Sequence, residues 1–354
     1  MNEAVVFEKT GYAGIITLNR VKALNALTQE MVQEIQQCLL RWEHDGDVHH
    51  VIIKSASEKA FCAGGDIRKI YDIGRENSKD ALSFFADEYR LNAYMKAYPK
   101  PLIALIDGIV MGGGVGISVH GGYRVGTERT LFSMPETGIG FFPDVGGGYF
   151  LPRMPHNIGM YCALTAERLR QADCYWTGIL THTVHSDDIS QIIKALGEAH
   201  DVDAVLSRFT YDPGPAPLAA QADLIEKCFQ AETPKEIFKF LENASNDEGN
   251  DFAGKALAQL RRRSPSSIAI THEQLKRGAE LDMPANMRME FRIVANILKG
   301  NDFYEGVRAV LVDKDNTPQW QPSSLSDIEA INLQQYFAEP DGGDLNLAIL
   351  NIVS

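Results

Sequence analysis

The chain has 354 residues and a mass of 39.2 kDa, a length typical of about two domains or of one large domain with an extension. Hydrophobic residues make up 45% and charged residues 23%, as in ordinary globular proteins, which excludes a disordered or fibrous chain. A net charge of -13 argues against general binding of nucleic acid or of anionic membranes, although a local basic patch can still bind a polyanionic small molecule.

Strand and helix signals alternate through the first part of the chain, as far as Met154. Residues 4–8, 14–19, 50–54 and 102–106 have the composition of strands. Thr28 is predicted to cap a helix, and residues 79–98 form a second helix that two prolines end. The first helix presents one apolar stripe, which consists of Met31, Ile35, Cys38, Leu39 and Trp42. This alternation predicts an α/β architecture.

From Asn157 onward helical patterns dominate. They cover residues 192–200, 216–228, 234–243, 253–263, 266–281 and 287–299, and a strand signal returns only at 307–312. We therefore predict a core domain over residues 1–200 and a mostly helical C-terminal extension over residues 201–354.

The cysteines and the N-terminus indicate the compartment. The five cysteines are odd in number, widely spaced and without a C-x-x-C pair, which favours reduced thiols. The first residues lack the basic and apolar regions of a signal peptide and are too acidic for a transit peptide. No apolar run reaches the length of about 18 residues that a membrane span needs. These features predict a cytoplasmic protein.

Three glycine-rich turns dominate the first half, at residues 61–66, 108–116 and 141–148. Glycine permits positive φ and lets the backbone approach a ligand closely. Two such turns, each at the start of a helix, can direct free N–H groups at one point, which is the geometry of an oxyanion hole. The alternative is that they are tight connections of an α/β fold. None contains G-x-G-x-x-G, so dinucleotide binding by that motif is not supported.

Two acids lie in apolar surroundings between these turns. Glu136 follows Phe-Ser-Met-Pro, and Asp144 follows Gly-Phe-Phe-Pro. Low-polarity surroundings raise the pKa of a carboxyl group and suit general acid–base catalysis. The alternative for Asp144 is a helix N-cap ahead of Val145.

The sequence offers little support for a metal site. His182, His185, Asp187 and Asp188 form the one metal-like cluster, and they lie in a predicted loop with no third histidine nearby. We predict neither a metal nor a cofactor.

The ordered set of motifs resembles a known family. Cys-Ala-Gly-Gly-Asp, Gly-Gly-Gly, Met-Pro-Glu-Thr and Phe-Pro-Asp-Val-Gly-Gly follow one another as in the crotonase superfamily of acyl-CoA enzymes, also called the enoyl-CoA hydratase/isomerase superfamily. The match is closer to its 3-hydroxyisobutyryl-CoA hydrolase branch. The tail fits as well, with Ser-Pro-Ser-Ser at 264–267, Met-Glu-Phe-Arg at 289–292 and Asp-Phe-Tyr-Glu-Gly-Val-Arg-Ala at 302–309. The resemblance covers nearly the whole chain.

That resemblance implies a spiral of repeated ββα units followed by helices. It implies two catalytic carboxylates, Glu136 and Asp144. It also implies an oxyanion hole formed by the N–H groups of Gly113 and of Ala63 or one of its two following neighbours. The residues that it places on the substrate are Glu88, Gly64, Gly65 and Asp66. The alternative for Glu88 is an acid on a helix surface.

The residues at two positions depart from the hydratase pattern. Typical hydratases carry a glutamate two residues after Gly-Gly-Gly, where this chain has Gly116, and a glycine where this chain has Asp144. The resemblance therefore favours hydrolysis of a short β-hydroxyacyl-CoA, such as 3-hydroxyisobutyryl-CoA in valine catabolism. A hydratase or isomerase, and a non-catalytic CoA-binding protein, stay as alternatives.

The predicted partner is an acyl-CoA substrate, with no nucleic acid and no membrane. CoA is part of the substrate and no separate cofactor is needed. Lys22, Arg68 and Lys69 are the candidate contacts for its phosphates. Relatives with this core often form trimers, so the resemblance allows a homo-oligomer.

Overall fold

The computed structural model describes residues 3–246, 251–330 and 332–352. Met1 and Asn2, part of the segment examined for a leader, lie outside the described residues. Within these ranges the strands are β1 Val5–Thr10, β2 Ala13–Leu18, β3 His50–Ser55, β4 Ala60–Cys62, β5 Leu102–Ile106, β6 Ile109–Met111, β7 Tyr123–Gly126, β8 Leu131–Ser133, β9 Leu169–Arg170 and β10 His182–Thr183.

The helices of the same ranges begin after the first hairpin and dominate after β10. They are α1 Gln29–Glu43, α2 Ile67–Glu76, α3 Ser78–Ala97, α4 Gly113–Gly116, α5 Gly147–Phe150, α6 Ile158–Thr165, α7 Gln171–Trp176, α8 Ile189–Glu198, α9 Val202–Leu206, α10 Ala222–Phe229, α11 Pro234–Ser245, α12 Asp251–Leu260, α13 Pro265–Gly278, α14 Met283–Ile297, α15 Asp302–Val307 and α16 Leu333–Phe337.

Two sheets form the core. The first has the order β1-β2-β3-β5-β7-β10 and is parallel except for the β1–β2 hairpin. The second has the order β4-β6-β8-β9, with the first three strands parallel. The chain alternates between the sheets, from β3 to β4, from β5 to β6 and from β7 to β8, before it enters a helix or a turn. This is the predicted spiral of ββα units, and the predicted fold class is confirmed.

The α1 helix shows how local sequence determines an element. The Thr28 hydroxyl accepts a hydrogen bond from the Met31 N–H at 3.3 Å, so Thr28 is the predicted N-cap. The five apolar residues of the predicted stripe are all buried. Burial of such a stripe, rather than helix propensity, supplies most of the stability of a helix in water.

The predicted strand at residues 307–312 is wrong. There α15 continues into a π-helical turn, Arg308–Val312. The β-branched residues of this segment are typical of strands, but its packing decides its conformation, since Val310 and Leu311 line a cavity of the core.

The helices after β10 pack directly on the core. The α15 helix crosses the turn that follows β8 so closely that a Cβ atom on Gly306 would lie 2.4 Å from the Ile139 carbonyl oxygen. The division into two domains at residue 200 stays a prediction. In the described ranges, no helix is long and apolar enough to span a membrane.

The Gly306 contact predicts a difference between two helical glycines. Gly306→Ala should lower the free energy of unfolding by about 1–3 kcal/mol, because the new methyl group overlaps backbone atoms. Gly254→Ala, in α12, adds a methyl group with no neighbouring atom within 4 Å and should raise that free energy by about 0.5–1 kcal/mol. Urea unfolding followed by circular dichroism measures both. Equal effects of the two substitutions would contradict the close packing of α15.

Candidate active site

Three parallel strands bring the sequence motifs to one edge of the second sheet. The strands β4, β6 and β8 are neighbours, and their carboxyl ends lead into residues 63–66, into Gly112–Gly113 and into the turn that starts at Glu136. Ligands of parallel sheets commonly bind at this edge. A cavity of about 360 Å³ opens there, within the usual range for small-molecule sites.

The cavity has an apolar wall and three buried acids. Its aromatic residues include Phe85 and Phe141, which stack with their centroids 5.3 Å apart. The acids are Glu88, Glu136 and Asp144, and each is at most 6% exposed. The motif order predicted this convergence of Glu136 with Asp144.

Burial dominates the electrostatics of these acids. It raises the pKa of Glu136 well above its usual value, and the negative charge of Asp144 raises it further. Burial, followed by the same charge of Asp144, raises the pKa of Glu88. The pKa of Asp144 rises to about 7 through burial, although the hydrogen bond from Tyr89 acts in the opposite direction. Groups that titrate near neutral pH are suited to proton transfer.

The three acids differ in their hydrogen bonds. Asp144 Oδ2 accepts a hydrogen bond of 2.8 Å from the Tyr89 hydroxyl. Within the described ranges, Glu136 Oε2 and Glu88 Oε1 are buried and have no hydrogen-bond partner. A buried acceptor without a partner costs free energy, and a ligand that donates a hydrogen bond removes that cost.

Glycine is required where the acids meet the backbone. A Cβ atom on Gly113 would lie 2.4 Å from Glu88 Oε1, and one on Gly112 would lie 2.9 Å from Glu136 Oε1. The same Cβ atom on Gly113 would lie 3.2 Å from the Gly65 nitrogen, so Gly65 and Gly113 lie side by side. Neither of their N–H groups donates a hydrogen bond within the described ranges.

Ala63 does not supply the predicted oxyanion-hole donor. Its N–H donates to the Leu24 carbonyl at 3.0 Å, because the chain before α1 turns back against β4. Neither the Gly64 nor the Gly65 N–H donates a backbone hydrogen bond within the described ranges, and the Gly65 nitrogen lies beside Gly113, so Gly65, a neighbour that the sequence had left as an alternative, is the candidate donor on this side. Gly64 contributes its positive φ of +117°, which turns the chain between Ala63 and Gly65. Gly65 and Gly113 are therefore the candidate pair of donors for an oxyanion hole.

Asp66 and Cys62 have structural partners. The Asp66 carboxylate caps α2 and lies 2.7 Å from the Arg20 guanidinium, although Asp66 also lines the cavity. Burial raises the pKa of the Cys62 thiol to about 12, which excludes a thiolate nucleophile at neutral pH. Binding of substrate by Asp66 stays a prediction.

Sequence reasoning missed two functional neighbours. Tyr89 holds Asp144, and it follows Glu88 directly in the sequence. Leu311 lines the cavity from the C-terminal region and is 38% exposed. The Glu-Gly-Val-Arg motif at 305–308 was the available signal in the sequence, but only the fold shows that the residues after it reach the cavity.

Comparison with known proteins identifies the family. The family model for enoyl-CoA hydratase/isomerase matches residues 13–337. The chain is 45% identical over 353 residues to the mitochondrial 3-hydroxyisobutyryl-CoA hydrolase of Danio rerio, covering 97% of this chain and 91% of that protein. The chain therefore belongs to the enoyl-CoA hydratase/isomerase family.

Two solved structures have the same fold. A carnitinyl-CoA dehydratase from Mycobacterium thermoresistibile superposes with a TM-score of 0.92 at 39% identity, covering 98% of this chain and 99% of that one. An enoyl-CoA hydratase from Rhodobacter sphaeroides superposes with a TM-score of 0.89 at 35% identity, covering 97% and 100%.

The predicted cytoplasmic location is wrong. The Danio rerio relative is a mitochondrial protein, and the chain matches it along nearly all of its length. The prediction failed because free thiols and ordinary composition describe the folded domain, whereas import depends on a separate targeting segment that is removed.

The unpartnered Glu136 predicts a pH-dependent gain of stability on substitution. Because the folded-state pKa of Glu136 is raised, folding favours its neutral form. That preference stabilises the wild type below the unfolded-state pKa of about 4.3 and is lost as the pH rises through the folded-state value. The glutamine of Glu136→Gln stays neutral at every pH. The free energy of unfolding of this variant at pH 8 should therefore be about 1–3 kcal/mol higher than that of the wild type.

Urea unfolding at pH 8 and pH 5 measures this difference, which should shrink at pH 5. Glu8→Gln, on the exposed end of β1, is the matched control and should change neither value. A Glu136→Gln protein that is less stable than the wild type at pH 8 would contradict the assigned electrostatics.

Proposed function

We propose that this protein hydrolyses the thioester of 3-hydroxyisobutyryl-CoA, or of a similar short β-hydroxyacyl-CoA, to CoA and the free hydroxy acid. The name of the Danio rerio relative states this activity. The observation that carries the proposal is the pair of buried acids, Glu136 and Asp144, in one cavity beside the free N–H groups of Gly65 and Gly113.

Hydration is the competing reaction, since the two solved neighbours are a dehydratase and a hydratase. The hydratase pattern needs a second glutamate at position 116. A Cβ atom on Gly116 would lie 2.7 Å from Val145 Cβ and 2.9 Å from Asn92 Nδ2, so no side chain fits there. Val145 belongs to the loop that carries Asp144. The loop that supplies the second acid thus occupies the space of the missing glutamate, which favours hydrolysis.

Backbone donors would stabilise the reacting carbonyl. The thioester oxygen would accept hydrogen bonds from Gly65 and Gly113, which stabilise the negative charge that develops on it. Glu136 then follows one of two routes. Its carboxylate attacks the carbonyl carbon, the C–S bond breaks to release CoA thiolate, and water hydrolyses the mixed anhydride. Alternatively, it removes a proton from a water that attacks the carbonyl directly.

Asp144 and Glu88 would recognise the hydroxyl of the acyl group. Tyr89 occupies Oδ2 of Asp144, which leaves Oδ1 for the substrate. With a pKa of about 7, raised mainly by burial, Asp144 both accepts and donates protons near neutral pH. The unpartnered Glu88 Oε1 supplies a second acceptor.

The CoA end of the substrate would meet exposed cations. Arg68 lines the cavity and pairs with Asp72 at 3.3 Å, and Lys69 lies 3.5 Å from Glu30. Exposed pairs of this kind contribute little free energy, so phosphates can replace the carboxylates. Lys22 is a third exposed candidate. The proposal includes a role in valine degradation, no separate cofactor and, as a prediction only, a homo-oligomer.

Thiol release tests the activity. Purified protein should release free thiol rapidly from (S)-3-hydroxyisobutyryl-CoA and slowly from acetyl-CoA and crotonyl-CoA. General acid–base groups contribute roughly 100–10,000-fold to the rate. Asp144→Asn should lower kcat by a factor within that range, and Glu136→Gln should lower it by at least as much. Loss of crotonyl-CoA absorbance without thiol release would instead identify a hydratase.

The matched control for these variants is Asp173→Asn. Asp173 is also a buried carboxylate that accepts a backbone hydrogen bond, from Leu218 at 2.8 Å, but it does not line the cavity. This variant should keep wild-type kcat. Full turnover by Glu136→Gln would contradict the proposed function.

A second test addresses the oxyanion hole. Gly113→Ala should lower kcat by about 100–1000-fold, because the methyl group meets Glu88 Oε1 and crowds the Gly65 nitrogen. Gly122→Ala adds a methyl group with nothing within 4 Å and should leave kcat unchanged. Steady-state thiol release measures both, and equal rates for the two variants would contradict the assignment of Gly113.

A further inference from the structure

A fourth buried acid lies directly behind Asp144. Glu290, on α14, is 0% exposed and does not line the cavity. Its Oε2 accepts the Gly146 N–H at 2.8 Å, and its Oε1 accepts the Gly148 N–H at 2.9 Å. Gly146 precedes α5 and Gly148 lies in its first turn, so a C-terminal helix holds the backbone of the 143–148 segment, which is called the 143–148 loop below.

Two amide side chains complete this arrangement. Asn286 Nδ2 donates to Glu290 Oε1 at 2.8 Å. Gln274 Nε2, on α13, donates to the Pro143 carbonyl at 2.7 Å and lies 3.3 Å from Glu290 Oε1. The residues on both sides of Asp144 are therefore attached to the same pair of C-terminal helices.

The backbone that these bonds hold is in a disfavoured conformation. Val145 has a φ of 51°, which is rare for a β-branched residue, and Gly146 has a φ of 89°. The Val145 carbonyl also accepts a hydrogen bond from His120 Nε2 at 2.7 Å. Such a conformation persists only when its surroundings fix it, and it occurs mainly at functional sites.

The chemistry of Glu290 is costly for a purely structural role. Burial raises its pKa to about 8, and the charge of Asp144 adds to that increase, while the N–H groups of Gly146 and Gly148 act against it. An acid whose ionised form is disfavoured by burial and by a neighbouring acid is a poor means of stabilising a core, since a buried charge is commonly replaceable by apolar packing without loss of stability.

We propose that Glu290 is a positioning residue, which holds the 143–148 loop so that Asp144 meets the hydroxyl of the acyl group. This inference rests on the proposed function. The inference extends the proposed function, because it assigns part of the positioning of Asp144 to the C-terminal helices. Glu290 touches neither the substrate nor the reacting atoms, and it acts through the backbone of Asp144's own loop.

The test is Glu290→Gln. The substitution keeps the shape but replaces one acceptor by an NH₂ donor, which then faces the N–H of Gly146 or Gly148. Displacement of a catalytic group by about 1 Å costs on the order of 100-fold in rate. We expect kcat for 3-hydroxyisobutyryl-CoA to fall by about 10–100-fold with little change in KM. In the double variant with Asp144→Asn, kcat should equal that of Asp144→Asn alone.

The controls separate positioning from folding. Asp173→Asn should lose stability without losing kcat. If Glu290→Gln does not fold, Gln274→Met removes the Pro143 hydrogen bond and the longer one to Glu290 Oε1 but leaves both backbone hydrogen bonds to Glu290. It should show a smaller loss of kcat, again absent in the Asp144→Asn background. The role of Glu290 would be overturned if Glu290→Gln alone kept wild-type kcat. It would also be overturned if the double variant lost kcat by the product of the two single losses. An inactive wild-type protein would contradict the proposed function instead.

Discussion

The site depends on the burial of several acids with no cation to neutralise them. In the described part of the chain, none of the hydrogen bonds accepted by Glu88, Glu136, Asp144 or Glu290 comes from a lysine or an arginine. Each of these acids therefore has a raised pKa, mainly through burial. Burial without a cation favours the neutral form of each acid, whereas the same groups paired with arginines would stay ionised. The raised pKa values of the acids are thus a consequence of their apolar surroundings.

The glycine-rich turns follow from this constraint. The carboxylates of Glu88 and Glu136 come so close to the main chain that Gly113 and Gly112 have no room for a Cβ atom. The same lack of side chains leaves the N–H groups of Gly65 and Gly113 open to a ligand. Gly113 therefore lies against both an acid and a candidate oxyanion donor, so a side chain there would disturb both at once.

The sequence predicted what depends on local pattern and on motif order. The Thr28 cap, the apolar stripe of α1, and the convergence of Glu136 with Asp144 belong to this class. It could not predict what depends on distant partners. The Ala63 N–H is lost to the Leu24 carbonyl, which only the folded turn brings near it. Glu290 lies more than a hundred residues from the loop that it holds, and neither the Met-Glu-Phe-Arg motif nor an acid within an apolar helix face indicates which backbone it contacts.

The 307–312 segment and the Asp144 loop show how the C-terminal helices became part of the site. Val310 and Leu311 form part of the cavity wall, and α13 and α14 fix the loop that carries Asp144. In that loop Val145 adopts a left-handed conformation, which persists only when the surroundings fix it. The C-terminal helices supply these contacts, through Gln274 on α13 to the Pro143 carbonyl and through Glu290 on α14 to the Gly146 N–H.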